Sequence, residues 1–234
     1  MHKRHDLLLL PGLLCDARLW RDPVAILDDL VEARIADLTL DDSVTAMARR
    51  ALAGAAPRFA LAGLSMGGYV ALEIMRQAPE RVTHLALFDT SARPDAPEAA
   101  RRRKALMALT RSGQFRGVTP RLLPSLLHPD AVDGPLGDEV RAMAERVGRD
   151  AFLRQQHAIL HRPDSRPLLP GIQQPTLVAV GEQDILTPPD LAEEIADAIP
   201  QARLARIPRC GHLPSMEQPE AAAALLRTWL TGAG

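Results

Sequence analysis

Five residues, Gly63-Leu64-Ser65-Met66-Gly67, constrain this chain more than any other stretch. Phe59 to Ala62 form a short apolar run of strand type before them, and Gly68 to Gln77 read as a helix after them. A serine on a sharp turn between strand and helix presents its oxygen outward. Glycines must flank it, because a side chain there would collide with the neighbouring strands. In that setting the G-x-S-x-G spacing predicts a nucleophile elbow. The competing reading is a glycine-rich turn in which the serine only caps the helix. The rest of the chain has to decide between them, since a serine nucleophile needs a base and an acid elsewhere.

The order of elements is that of an α/β chain. Leu7 to Leu10 is a continuous apolar run, as expected for a strand buried on both faces, and Pro11-Gly12 ends it. The pattern predicts a helix from Ala17 through Leu30, a strand over Ala33–Leu38, and a helix capped by Asp41-Asp42-Ser43 that runs to Gly54. Further strands are expected over Arg81–Phe88, Thr176–Val180 and Arg203–Ile207, with helices over Asp190–Ile199 and Pro219–Thr231. Strands alternating with helices predict a mostly parallel central sheet with helices on both faces. Between Ala92 and Gln173 no strand pattern occurs. Helical stretches over Glu98–Ser112, Pro120–Leu127, Leu136–Val147 and Asp150–Leu160 are separated by Gly, Pro and Asp. The expected division is therefore a core domain of residues 1–92 and 173–234, interrupted by a helical insertion of residues 93–172.

Composition narrows the partners. The 234 residues are 47% hydrophobic with a net charge of −1, enough for one large core and without the charge excess of a nucleic-acid or membrane-surface binder. The run at Leu7–Leu10 is far too short to span a bilayer, and Asp16, Arg18 and Arg21 follow too soon for a signal peptide. Two cysteines make no disulfide framework, so a reduced, cytoplasmic protein is expected. Aromatic residues are only 3% of the chain, so a binding pocket must be built from Leu, Met, Val and Ala. The insertion is the exception in charge. Arg93 to Arg166 hold 14 Lys+Arg against 9 Asp+Glu, with Arg101-Arg102-Arg103-Lys104 the densest run. This is either a solvated helix face or an attractor for an anionic substrate or an acidic acyl carrier.

The base and the acid are present in the required order. Thr176–Val180 leads into Gly181-Glu182-Gln183-Asp184, and the last strand leads into Pro208-Arg209-Cys210-Gly211-His212. Both loops lie at the carboxyl ends of their strands, where active sites of parallel sheets form. Ser65, Asp184 and His212 are therefore the candidate nucleophile, acid and base. Asp89, at the end of the strand after the elbow helix, is a rival for the acid, and a turn role is its alternative.

These segments resemble the α/β-hydrolase superfamily, in its capped small serine esterase and lactonase form, which includes carboxylesterases, enol-lactonases and pimeloyl-carrier methyl ester esterases. The resemblance rests on Leu9 to Leu14, Gly63 to Gly68, Arg81 to Leu85, Gly181 to Asp184 and Gly211 to Glu220. It implies an α/β-hydrolase fold with the helical cap inserted after the strand that follows the elbow helix. It also implies hydrolysis of carboxylic esters through an acyl-enzyme on Ser65, with no cofactor and no metal. The implied oxyanion donors are the backbone amides of Leu13 and Met66. Pro11-Gly12 stands where relatives often carry His-Gly. The cap would supply the substrate pocket, with Met107, Leu109, Phe115, Leu126 and Phe152 as candidates.

Alternatives on the same site are acyl transfer, or hydrolysis of a carrier-linked ester or lactone. From another class comes a non-catalytic binding protein on the same fold. The seven histidines are expected to bind no metal. His2 and His5 are terminal, His84 lies in a strand, and His157 and His161 lack the Glu of an H-E-x-x-H pattern. Cys15 and Cys210 are expected to be buried free thiols. Glu182 is expected to be solvated, and Glu217 to orient the last helix or the loop before it.

Overall fold

A computed structural model describes residues 4–232. The chain opens with β1 (His5–Leu10), a 3-10 turn at Ala17–Trp20, α1 (Arg21–Ile26), β2 (Val31–Ile35) and α2 (Val44–Gly54). The elbow region is β3 (Phe59–Leu64) followed by α3 (Met66–Gln77), and β4 (Val82–Phe88) comes next. Then follow α4 (Pro97–Arg111), α5 (Pro129–Val132) and α6 (Pro135–Leu160). The chain ends with β5 (Thr176–Gly181), α7 (Pro189–Ala198), β6 (Ala202–Ile207), α8 (Pro214–Glu217) and α9 (Pro219–Thr231). Among the described residues the strands form one sheet in the order β2-β1-β3-β4-β5-β6, with every neighbouring pair parallel.

The sheet is covered on both faces, which is why its central strands read as unbroken apolar runs. Leu8, Leu10, Leu61, Leu87 and Val178 point to the side of α2, α3 and α7, among Met47, Val70, Ile74 and Ile195. Their neighbours Leu7, Leu9, Ala60, Ala62, Phe88 and Ala179 point to the other side, among Trp20, Leu226 and Trp229. The alternation is the two-residue period of a strand. Phe88 meets Trp20 edge to face, with ring centres 5.6 Å apart.

Several boundaries differ from expectation, each for a local reason. The strand expected over Ala33–Leu38 ends at Ile35. The Ala36 amide makes the last bond to β1, and the Asp37 side chain then takes the Thr39 amide and turns the chain away. The helix expected from Ala17 through Leu30 splits at Trp20. Pro23 has no N–H to bond back to Leu19. The helix expected over Pro120–Leu127 is only a 3-10 turn at Leu123–Ser125, because Pro124 lacks the N–H that would reach Pro120. Gly148 adopts φ 78° and ψ 178°, which breaks α6 between the two stretches that the sequence separates there.

No strand occurs among the described residues between β4 and β5. That segment is tied down by buried charge. Asp95, 6% exposed, lies 2.7 Å from both Arg103 and Arg162, and Arg162 also stacks over the Tyr69 ring of α3. No helix among the described residues is long and apolar enough to cross a membrane.

Candidate active site

Ser65 stands between β3 and α3 with φ 55° and ψ −114°, a conformation that costs a residue with a Cβ energy and is typical of strained functional positions. The surroundings hold it there. Its amide donates to Phe88 O at 2.9 Å, and its carbonyl accepts from the Thr90 hydroxyl at 2.8 Å. A Cβ on Gly67 would run into the backbone of Leu10, and one on Gly63 into the backbone of Gly67. These two glycines are therefore demanded by close backbone approach rather than by dihedral freedom. Ser65 does not cap α3 with its side chain. Its Oγ instead lies 2.9 Å from Nε2 of His212.

The imidazole is held on its other side by Asp184, whose Oδ2 lies 2.8 Å from His212 Nδ1. Asp184 and His212 are almost fully buried. The carboxylate also accepts from the Thr187 hydroxyl at 2.7 Å and from the amides of Leu186 and Thr187 at 2.8 and 3.2 Å. Burial alone would raise its pKa. The adjacent imidazole and the bonds from His212 and Thr187 outweigh burial and hold Asp184 below the usual carboxylate range. An acid kept ionised in this way can orient the imidazole and stabilise its cation.

The two loops that carry Asp184 and His212 touch. A Cβ on Gly181 would strike the Gly211 carbonyl, and one on Gly211 would crowd Leu127 and His128. Glu217 clamps the histidine loop. Its carboxylate accepts from the amides of Gly211 (3.0 Å), Leu213 (3.1 Å) and His128 (2.6 Å), while His212 itself donates its amide to Leu126 O at 2.9 Å. The loop thus rests on the segment between α4 and α5. Glu217 was expected to orient the last helix or the loop before it; the structure puts its carboxylate on the loop, through these three amides.

Ser65 and His212 open on a cavity of about 550 Å³ with a largely apolar wall. Of the residues expected to line a pocket, Leu109, Phe115, Leu126 and Phe152 do so. Met107 does not. It is buried, but off the cavity wall, because Leu106, Leu109 and Thr110 share the cavity face of α4 at i, i+3 and i+4, and Met107 sits 100° further round. Leu122, Val140 and Met143 add to the apolar wall.

Leu13 also lines the cavity, and Met66 is the first residue of α3. A first helical residue has no intrahelical acceptor for its N–H. Beside Leu13, the Leu14 amide is taken by Gln155 Oε1 at 3.0 Å and the Cys15 amide by Gly12 O at 3.2 Å. Gln155, fully buried on α6, passes the tie on through its own amide to Leu38 O at 3.2 Å. Leu14 holds φ 58°, so this contact fixes a strained loop. Sequence reasoning missed Gln155, and it placed Thr187 in the acid loop without its hydroxyl's bond to Asp184. Gln155 lies 141 residues from its partner and leaves no periodic mark, whereas Thr187 was within reach as a hydroxyl three residues after the acid.

Asp89 is not bonded to His212; its Oδ1 accepts from the Gly181 amide at 2.9 Å. Cys15 lies on the cavity wall, and both cysteines are free and buried. Burial pushes the Cys15 thiol up to about 12 and raises Cys210 as well. Glu182 is exposed. The ring Nδ1 atoms of His157 and His161 face the carbonyls of Asp42 and His157 at 2.9 Å, and His2 lies outside the described residues.

A family model described as the alpha/beta hydrolase fold matches residues 32–219. The chain belongs to the α/β-hydrolase family. A pimeloyl-[acyl-carrier protein] methyl ester esterase of Neisseria meningitidis serogroup C is 32% identical over 73% of this chain and 68% of its own length. The protein of the same name from Nitrosomonas europaea is 30% identical over 92% of this chain and 91% of its own length. Among solved α/β-hydrolase structures, a thermophilic esterase from Thermogutta terrifontis superposes with a TM-score of 0.87. It is 32% identical and covers 97% of this chain and 90% of its own. These relatives are hydrolases, and the sheet with its helices is the fold they share.

Proposed function

We propose that this protein is a serine hydrolase of small to medium carboxylic esters, working through an acyl-enzyme on Ser65. The reading is carried by one arrangement. The line of contacts from Ser65 Oγ to His212 Nε2 (2.9 Å) and from His212 Nδ1 to Asp184 Oδ2 (2.8 Å) meets the apolar cavity at Ser65 and His212. In this reading Ser65 attacks the ester carbonyl while His212 takes its proton. Asp184 stabilises the imidazolium, and the amides of Leu13 and Met66 receive the developing oxyanion. His212 then returns the proton to the leaving alcohol. Water activated by the same imidazole releases the acid and restores Ser65. Residues 93–172 act as a cap whose apolar side chains hold the acyl group. The site needs neither metal nor cofactor for these steps.

A carrier-linked ester is the second reading. It is favoured by the exposed Arg101, Lys104, Arg116 and Arg121 along the cap, and Arg116 is itself on the cavity wall. Two relatives are named for an ester of that type. An acidic carrier would be drawn to such a surface, and added salt would weaken the attraction.

The deciding experiment is hydrolysis of a chain-length series of p-nitrophenyl esters by the wild type and Ser65→Ala. Turnover that vanishes in the variant is expected, and equal rates in both would refute the assignment. Absence of turnover in both, together with failure of a fluorophosphonate to label Ser65, would leave the fold as a binding protein. A kcat/KM that falls with salt for anionic esters but not for neutral ones would select the carrier-linked substrate.

A further inference from the structure

The site holds one buried acid that the proposed steps do not use. Asp89 follows β4 directly, is fully buried, and has a left-handed φ of 43°. Its amide donates to Ala179 O at 2.9 Å, and its Oδ1 accepts from the Gly181 amide at 2.9 Å. Both ties are to β5, the strand that leads into Asp184. The second oxygen, Oδ2, is buried, and no N–H or hydroxyl among the described residues donates to it; only a proton of its own lets Asp89 bond Asp184. An oxygen of Asp89, an oxygen of Asp184 and a ring nitrogen of His212 all lie within 4.8 Å of one another.

A turn residue has no need of this arrangement. A buried carboxylate oxygen that no donor reaches costs roughly 1–3 kcal/mol, and left-handed backbone adds strain. Two carboxyls this close in a buried site do not both ionise. Asp184 carries the charge, because His212 and Thr187 stabilise it. Burial and then the Asp184 charge push Asp89 well above the usual carboxylate range, so it keeps its proton. Removing the Asp184 charge removes the second of those penalties. Burial remains, so Asp89 loses its proton only above the usual carboxylate range; the carboxylate then lies beside the same imidazole at the end of the adjacent strand.

We propose that Asp89 is a reserve acid of this site, a positioning residue that holds the His212 imidazole when Asp184 is lost. The proposal rests on the reading of Ser65, His212 and Asp184 as the reacting trio. Failure of that reading appears separately, as activity retained by Ser65→Ala.

The test is a kinetic cycle of Asp89→Asn, Asp184→Asn and the double variant, each checked for a cooperative thermal transition. Loss of the only acid in such a trio lowers kcat by about 10⁴. With Asp89 in reserve, Asp184→Asn is expected to lose no more than about 10², and the double variant to reach the full 10⁴. Asp89→Asn then costs at least about tenfold more in the Asp184→Asn background than in the wild type. The kcat of Asp184→Asn should also rise with pH through a deprotonation that the double variant lacks. His212, Cys210 and Glu217, the other ionisable groups around Asp89, are common to both variants, so the difference between the profiles isolates Asp89. Equal rates for Asp184→Asn and the double variant, with both folded, would overturn the proposal. If Asp184→Asn does not fold, Asp184→Ala with and without Asp89→Asn makes the same comparison.

Discussion

Thr187 offers the cleanest test of how the acid is held. Its hydroxyl donates to Asp184 Oδ2 at 2.7 Å in a buried setting and lies 3.4 Å from His212 Nδ1. Thr187→Val keeps the shape and removes the donor. A hydrogen bond to an ionised group contributes about 1.5–3 kcal/mol. At about 2–4 °C per kcal/mol for a chain of this length, Tm should fall by about 3–12 °C. Thr187→Ser keeps the donor and loses one buried methyl, worth about 0.8 kcal/mol and so about 2–3 °C. The order wild type, Ser, Val is therefore expected by calorimetry at pH 7.5. Because the folded Asp184 carboxyl is held low, the bond contributes fully above the unfolded value of about 4 and is lost only as pH falls through the folded value. The Val deficit should thus be the same at pH 6 and pH 8. On a p-nitrophenyl ester, kcat should drop about tenfold, or about 1.4 kcal/mol in the barrier, with KM little changed. A Val variant as stable as the Ser variant, or a loss confined to KM, would refute this account.

Two further outcomes are expected. Gln155→Leu strips partners from the Leu14 amide and the Leu38 carbonyl, each costing about 1–3 kcal/mol, and loosens the loop beside Leu13. Steady-state kinetics should show a fall in kcat larger than any rise in KM, and the reverse pattern would remove Gln155 from the oxyanion loop's support. Asp89→Asn should raise Tm at pH 8. The folded carboxyl binds its proton more tightly than the unfolded one, so its contribution is full below about pH 4 and is lost as pH rises toward its folded value. Tm measured from pH 5 to pH 8 should show the variant's advantage growing with pH, and an advantage independent of pH would contradict the assignment of a neutral Asp89.

The features legible in the residues alone are local. The elbow is legible because Gly63 and Gly67 mark backbone contacts that no other residue tolerates. The sheet is legible because strands buried on both faces have no choice but to be apolar. Asp184 and His212 are legible for the same reason: each follows its strand by a few residues, so the topology that places the strands also places the loops. The α/β-hydrolase fold follows from features of this kind. The remaining features depend on how distant segments pack together. Asp89 and Asp184 follow adjacent strands of one sheet, and the structure bonds His212 to Asp184, the acid the sequence favoured, while tying Asp89 to Gly181. Met107 and Leu109 are equally apolar, and only the rotation of α4 turns one away from the cavity. Gln155 reaches Leu14, and Glu217 reaches His128, through single hydrogen bonds between distant segments. A bond of that kind needs one residue at one point, so it imposes no period on the chain that a reader of the sequence could detect.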